Sequence, residues 1–184
     1  MERYESYDKT EAFTGEYETL TVGGKICRIL KIAVESKDYG KLMRVAFDIA
    51  EGENAWYYKR LFDRKKETNP DAKWAGMYYQ TIKDGEDMKY FKGFMTAIEN
   101  SNPGFKWDWD ENKLIGKLFG GVFAEEEYKG NDGDIKVSVK CRFVRSVEQI
   151  RKGVKIPEIK RLNKNAGHIP VGYDHSEAEA DLPF

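Results

Sequence analysis

The sequence predicts a mainly β (α+β) fold: a five-stranded Greek-key barrel with a helical insertion between strands three and four. Three observations point there. Apolar and polar residues alternate with period two in several stretches, helical spacing is clearest in one central segment, and the composition changes abruptly after Leu162. With 184 residues, the chain has room for one sizeable domain and its appendages. The expected organisation is an arm over 1–16, a domain over 17–162 and a flexible acidic tail over 163–184.

Gly23-Gly24 opens a long first strand over 25–35, rich in Ile, Val and Leu. A turn cluster at 36–40 leads to a second strand over 41–50, where Met43, Val45, Phe47 and Ile49 alternate with Arg44, Ala46 and Asp48. The turn at 51–54 leads to a third strand over 55–62, with Trp56, Tyr58, Arg60 and Phe62 on one face. Asn69-Pro70 reads as a helix start, with a short helix carrying Trp74, Met77, Tyr78 and Ile82. A stronger helix follows Asp84, with Met88, Phe91, Phe94, Met95 and Ile98 at helical spacing, and stops at 100–104. Strand character returns over 118–128 through Gly120-Gly121, a pair that suggests a bulge or bend. A hairpin loop at 129–134 precedes a last strand over 135–147, with Val137, Val139, Cys141 and Phe143 on one face. Three strands, a helical insert and two more strands match the oligonucleotide-binding (OB) barrel.

Composition excludes several classes. No apolar run approaches the ~20 residues of a spanning helix, and the N-terminal residues lack the pattern of a signal peptide, so a cytoplasmic location is expected. Cys27 and Cys141 form no CxxC, and the only histidines are His168 and His175. No phosphate-cradling, zinc-protease, serine-hydrolase or dinucleotide motif is present. The expectation is a non-enzyme without metal or other cofactor. A metal-dependent nuclease built on Glu125-Glu126-Glu127 or Asp108/Asp110 stands as an alternative, although consecutive acids on a strand point to opposite faces. A protein adaptor or inhibitor with a barrel fold is another.

Charge is segregated along the chain. The overall balance is 31 basic to 32 acidic side chains, yet 135–165 carries ten bases and two acids, a net of 10 − 2 = +8. The last eleven residues carry four acids and no Lys or Arg. A basic body with an anionic end suggests a polyanion-binding domain. A single nucleic-acid strand needs cations for its phosphates and flat rings for its bases, each stacked base contributing about 1–3 kcal/mol. Candidate cations are Lys31, Lys37, Arg44, Lys136, Lys140 and Arg142; candidate rings are Tyr39, Trp56, Tyr57, Tyr58 and Trp74. Core packing competes for each ring, and RNA competes with DNA as the ligand.

The tail ends Asp181-Leu182-Pro183-Phe184 after spaced acids, a pattern that reads as a peptide ligand for an apolar pocket with a basic rim. Twenty-two flexible residues give a reach of about 25 Å. This tip resembles the acidic Pro-Phe end of bacterial-type single-stranded DNA-binding proteins. The segments 23–29, 47–52 and 118–123 (GGKICRI, FDIAEG, LFGGVF) resemble those of bacteriophage single-stranded DNA-binding proteins. The resemblance implies an OB barrel that coats single strands during phage replication, recombination and repair in the infected bacterial cell. It also implies that the tip, residues 181–184, recruits partner enzymes, while self-association stays open.

Overall fold

In the computed structural model, the structure describes residues 3–5, 7–9 and 18–162. The tail and most of the arm lie outside those residues. Five strands and three helices follow one another as β1 (Gly23–Lys37), β2 (Gly40–Ile49), α1 (Tyr57–Thr68), β3 (Met77–Ile82), α2 (Met88–Ser101), β4 (Leu118–Lys129), β5 (Ile135–Arg145) and α3 (Val147–Lys152). All ladders are antiparallel, in the order β3-β2-β1-β4-β5. The edge strands β3 and β5 approach each other, but no ladder joins them, so the sheet is not closed as a barrel. The fold is mainly β, and no helix among the described residues is long and apolar enough to cross a membrane.

Two expected elements are corrected. The stretch 55–62, read as a strand, enters helix α1, and the helix read over 74–82 is replaced by strand β3. The cause of the first lies in β2, at Asp48. Its carboxylate reaches the start of α1, with Oδ1 accepting from the Ile49 and Tyr58 amides at 2.8 and 2.9 Å and Oδ2 from the Lys59 amide at 2.9 Å. A cap delivered from another strand leaves no local signal in the helix sequence. Trp56, held at φ 60°, makes the turn into the helix. Beyond Pro70, Tyr78 and Gln80 alternate with Tyr79 and Thr81 on the ladder with β2, and that pairing, not the aromatic pair itself, makes the segment a strand.

Burial holds the Asp48 carboxyl above the usual carboxylate range, against the pull of those amide donors. A raised folded value means that this contribution to stability is fully present below the ordinary carboxylate pKa. It is lost as pH rises through the elevated value. Asp48→Ala, which orphans buried amides, should cost about 2 kcal/mol. Asp48→Asn should cost less and remove this pH-dependent component, as urea unfolding on both sides of the transition would show.

The core forms on the inward face of the sheet around Phe47. The rings of Tyr58, Phe119 and Phe123 stand 5.4, 5.5 and 6.1 Å from it, all edge-on. Helix α2 supplies Phe91, Phe94, Met95 and Ile98, as its spacing predicts. Asn102, at the end of α2, donates to the carbonyls of Ile98 and Leu118 and accepts the Leu118 amide, which fastens the helix to β4.

The Gly120-Gly121 pair is a place of close approach; the bulge itself falls between Val122 and Phe123. A Cβ on Gly120 would lie 2.2 Å from Ile150 Cγ1 and 2.9 Å from the Ser146 carbonyl oxygen, so the missing side chain is what lets α3 lie on the sheet. Helix α3 starts with a capping box between Ser146 and Gln149. A Cβ on Gly121 would meet the Phe123 ring and the sulfurs of Cys141 and Cys27. Burial pushes the Cys141 thiol up to about 12 and the Cys27 thiol well above its ordinary value, so neither supplies a thiolate for chemistry at neutral pH.

The bulge also changes which way β5 presents its side chains. Val122 pairs with Phe143 and Phe123 with Cys141, leaving Arg142 as the extra residue. Phe143 therefore leaves the face that Cys141 occupies and is 41% exposed. The regular alternation expected over 135–147 put both on one face and Phe143 in the core; one inserted residue reverses that.

Candidate nucleic-acid interface

Register and alternation define the outward face of β1, β2 and β3. Residues directly opposite in the ladders form rows across it: Lys31, Ala46 and Met77; then Ala33, Arg44 and Tyr79; then Glu35, Leu42 and Thr81; then Lys37 at the hairpin end. Small residues alternate with long ones along this face. Ala46 is fully buried and Arg44 nearly so, while Tyr79 and Lys31 are half-buried. The floor is thus low and flanked by cations, with a tyrosine ring directly opposite Arg44.

Glu35 organises the cations. It forms an ion pair with Arg44, whose side chain is largely buried, and a second one with Lys37 at 3.2 Å. The pairing holds the guanidinium in one place at some electrostatic cost to any anion that approaches. Beyond the row, Tyr39 stands exposed at the tip of the β1–β2 loop. This brings together four of the expected cations and rings: Lys31, Lys37, Arg44 and Tyr39.

The remaining rings are distributed differently. Tyr58 is buried against Phe47 and Gly76, and Tyr57 and Trp74 pack on the same core. Trp74 also donates from Nε1 to the Phe47 carbonyl at 3.1 Å. Of these three Tyr58 belongs to the buried core, while Tyr57 and Trp74 are half-buried against it. Trp56 is exposed, but it sits past the end of β2, away from Tyr39.

Lys136, Lys140 and Arg142 form a separate group on β5. Lys136 pairs with Asp132 at 2.5 Å within its own hairpin, Lys140 lies 5.9 Å from the centre of the Tyr128 ring, and Arg142 donates to the Glu158 carbonyl at 3.0 Å. Arg142 and Arg145 flank the exposed Phe143 ring at 5.6 and 5.9 Å. Phe143 and Arg145 line an open groove whose far wall is the segment 154–158.

The acids do not converge. Glu125 is exposed, Glu126 is buried against Lys160 at 2.8 Å, and Glu127 accepts the Leu162 amide at 3.0 Å. Asp108 is tied to Lys113. Among the described residues no group of three or more His, Cys, Asp or Glu side chains is placed to hold a metal ion.

No family model and no curated protein matches this chain. The geometry of the site adds Tyr79, Phe143 and Arg145 to the residues expected from sequence. The run 77–82, rich in aromatic and β-branched residues between Gly76 and Asp84-Gly85, carried the signal for Tyr79. Asp181, Leu182, Pro183 and Phe184 lie outside the described residues.

Proposed function

We propose that this chain is a non-enzymatic, phage-type single-stranded DNA-binding protein of OB-fold architecture. The strand order, with a helix between β3 and β4 and edge strands that approach without pairing, fits the partly open five-stranded form, whose ligand face spans strands two and three and the β1–β2 loop. The observation that carries the reading is the outward row Ala33-Arg44-Tyr79 with Lys31, Lys37 and Tyr39 beside it. Cations there take phosphates and rings take bases without regard to base identity. Phe143, between Arg142 and Arg145, extends the track onto β5. The sequence motif at 181–184 adds recruitment of replication, recombination or repair enzymes to this reading.

Fluorescence anisotropy with labelled oligo-dT and duplex competitors tests it. Oligo-dT should win, and log affinity should fall linearly with log salt, by roughly 0.7 for each phosphate neutralised. Equal affinity for both forms, or a flat salt response, would refute it. Removing residues 182–184 should leave oligo-dT binding intact and abolish capture of host replication or repair proteins. Equal capture with and without those residues would remove the recruitment role.

A further inference from the structure

Strand β5 is an edge, and its first half is the exposed part. Among the described residues its ladder partner is β4 alone. Over residues 135–140, one row of backbone donors and acceptors points away from the sheet. Long edges of this kind are pairing sites unless a protein blunts them. Ile135 and Val137 are about half exposed, whereas Val139, two residues further on the same face, packs on the core. An apolar stripe thus runs off the core onto an unpaired edge.

We infer that residues 134–140 form an antiparallel ladder with the same residues of a second copy, two-fold symmetric about Val137. The pairs written by that centre are complementary throughout. Ile135 faces Val139, Val137 faces its own symmetry mate, and Lys136 faces Ser138. Asp134 then faces Lys140, and the two-fold axis makes this ion pair twice. Directly opposite residues share a face, so the apolar pairs fall together on the inward side and the charged ones on the outward side. Moving the centre by one residue destroys the match. A centre at Ser138 sets Lys136 against Lys140, and one at Lys136 sets that lysine against itself; like charges directly opposite destabilise a ladder.

The hairpin is prepared for the contact. Lys136, which could blunt the edge, is neutralised by Asp132 within its own hairpin, and Lys140 leans over the Tyr128 ring. Both chemical terms point to a second copy: a foreign strand would have to reproduce the Asp-to-Lys spacing and the apolar row. The ladder is short, so association depends on concentration. It needs no nucleic acid and stands or falls apart from the binding function proposed above.

Sedimentation velocity on the full chain, without nucleic acid and over a range of concentrations, tests the inference. A reversible dimer is expected. Lys140→Asp, which sets two acids opposite each other twice, should raise its dissociation constant by roughly tenfold. The double variant Asp134→Lys/Lys140→Asp restores the pairs in reverse and should recover it, which a folding defect would not do. Under mild oxidation Val137→Cys should cross-link to its symmetry mate and Val139→Cys should not. A monomer at every concentration overturns the inference. So does a dimer indifferent to Lys140→Asp, or one in which Val139→Cys cross-links and Val137→Cys does not.

Discussion

Gly76→Ala should destabilise the domain by about 3 kcal/mol or more, a large share of the stability of a typical domain. A Cβ at this position would lie 2.3 Å from the Phe47 carbonyl oxygen and 2.7 Å from the Tyr58 ring. The first of these atoms is backbone in the middle of the core and cannot swing aside. That carbonyl also accepts Trp74 Nε1, and the Phe47 amide donates to the Gly76 carbonyl at 2.8 Å. Relief of the clash therefore separates β3 from β2 and pulls Tyr79 out of its row. Gly93→Ala supplies the contrast. Gly93 lies on the exposed side of α2, and an added methyl group there would meet nothing within 4 Å, so the substitution should stabilise by roughly 0.5–1 kcal/mol. Chemical denaturation of the two variants should move in opposite directions. A Gly76→Ala protein as stable as the parent would contradict the packing described for this corner.

Tyr79→Ala should weaken oligo-dT binding by about tenfold to a hundredfold, corresponding to one lost stacking contact of about 1–3 kcal/mol. Tyr79→Phe keeps the ring and should retain most of the affinity. Lys31→Ala should act differently. It removes one phosphate partner, so the slope of log affinity against log salt should become shallower by about 0.7, with little dependence on base identity. Arg44 is less suitable for such a test, because its side chain is largely buried against Glu35, and losing it disturbs packing as well as charge. A ring effect at Tyr79 together with a salt effect at Lys31 would place bases and phosphates on the same row of the sheet. If neither substitution changes binding, the strand runs elsewhere.

Much of the sheet was legible in the sequence, because β2 and the first part of β5 alternate with period two and β1 and β4 are runs rich in branched and aromatic apolar residues between turn signals. Helix α2 was equally plain from its apolar spacing. The errors at 55–62 and 74–82 share a cause. Tyr57-Tyr58 and Tyr78-Tyr79 are similar pairs in short segments, and what separates them is non-local: the Asp48 carboxylate caps the first segment into a helix, and the ladder to β2 holds the second as a strand. With that exchange the candidate rings change too, since Tyr57 and Tyr58 go to the core and Tyr79 comes to the outward face. Phe143 was misplaced for a subtler reason, because a single bulge residue, Arg142, turns it outward. The cations suffered least. Long charged side chains stay at the surface in either secondary structure; Lys31 reaches the outward face through the register shift between Ile29 and Lys31, and Lys37, expected in the turn, ends β1. Arg44 kept its face, but its burial depends on Glu35 across the β1–β2 ladder, a partner fixed by register rather than by composition.

A bound single strand is expected to cross the outward face of β1, β2 and β3. Photocross-linking with oligonucleotides carrying iododeoxyuridine, followed by peptide mapping, reports which rings touch bases. Adducts should concentrate on Tyr79 and Tyr39, with Phe143 following as the oligonucleotide is lengthened. Adducts confined to Trp109 or Tyr90, the exposed rings beside and on α2, would contradict it.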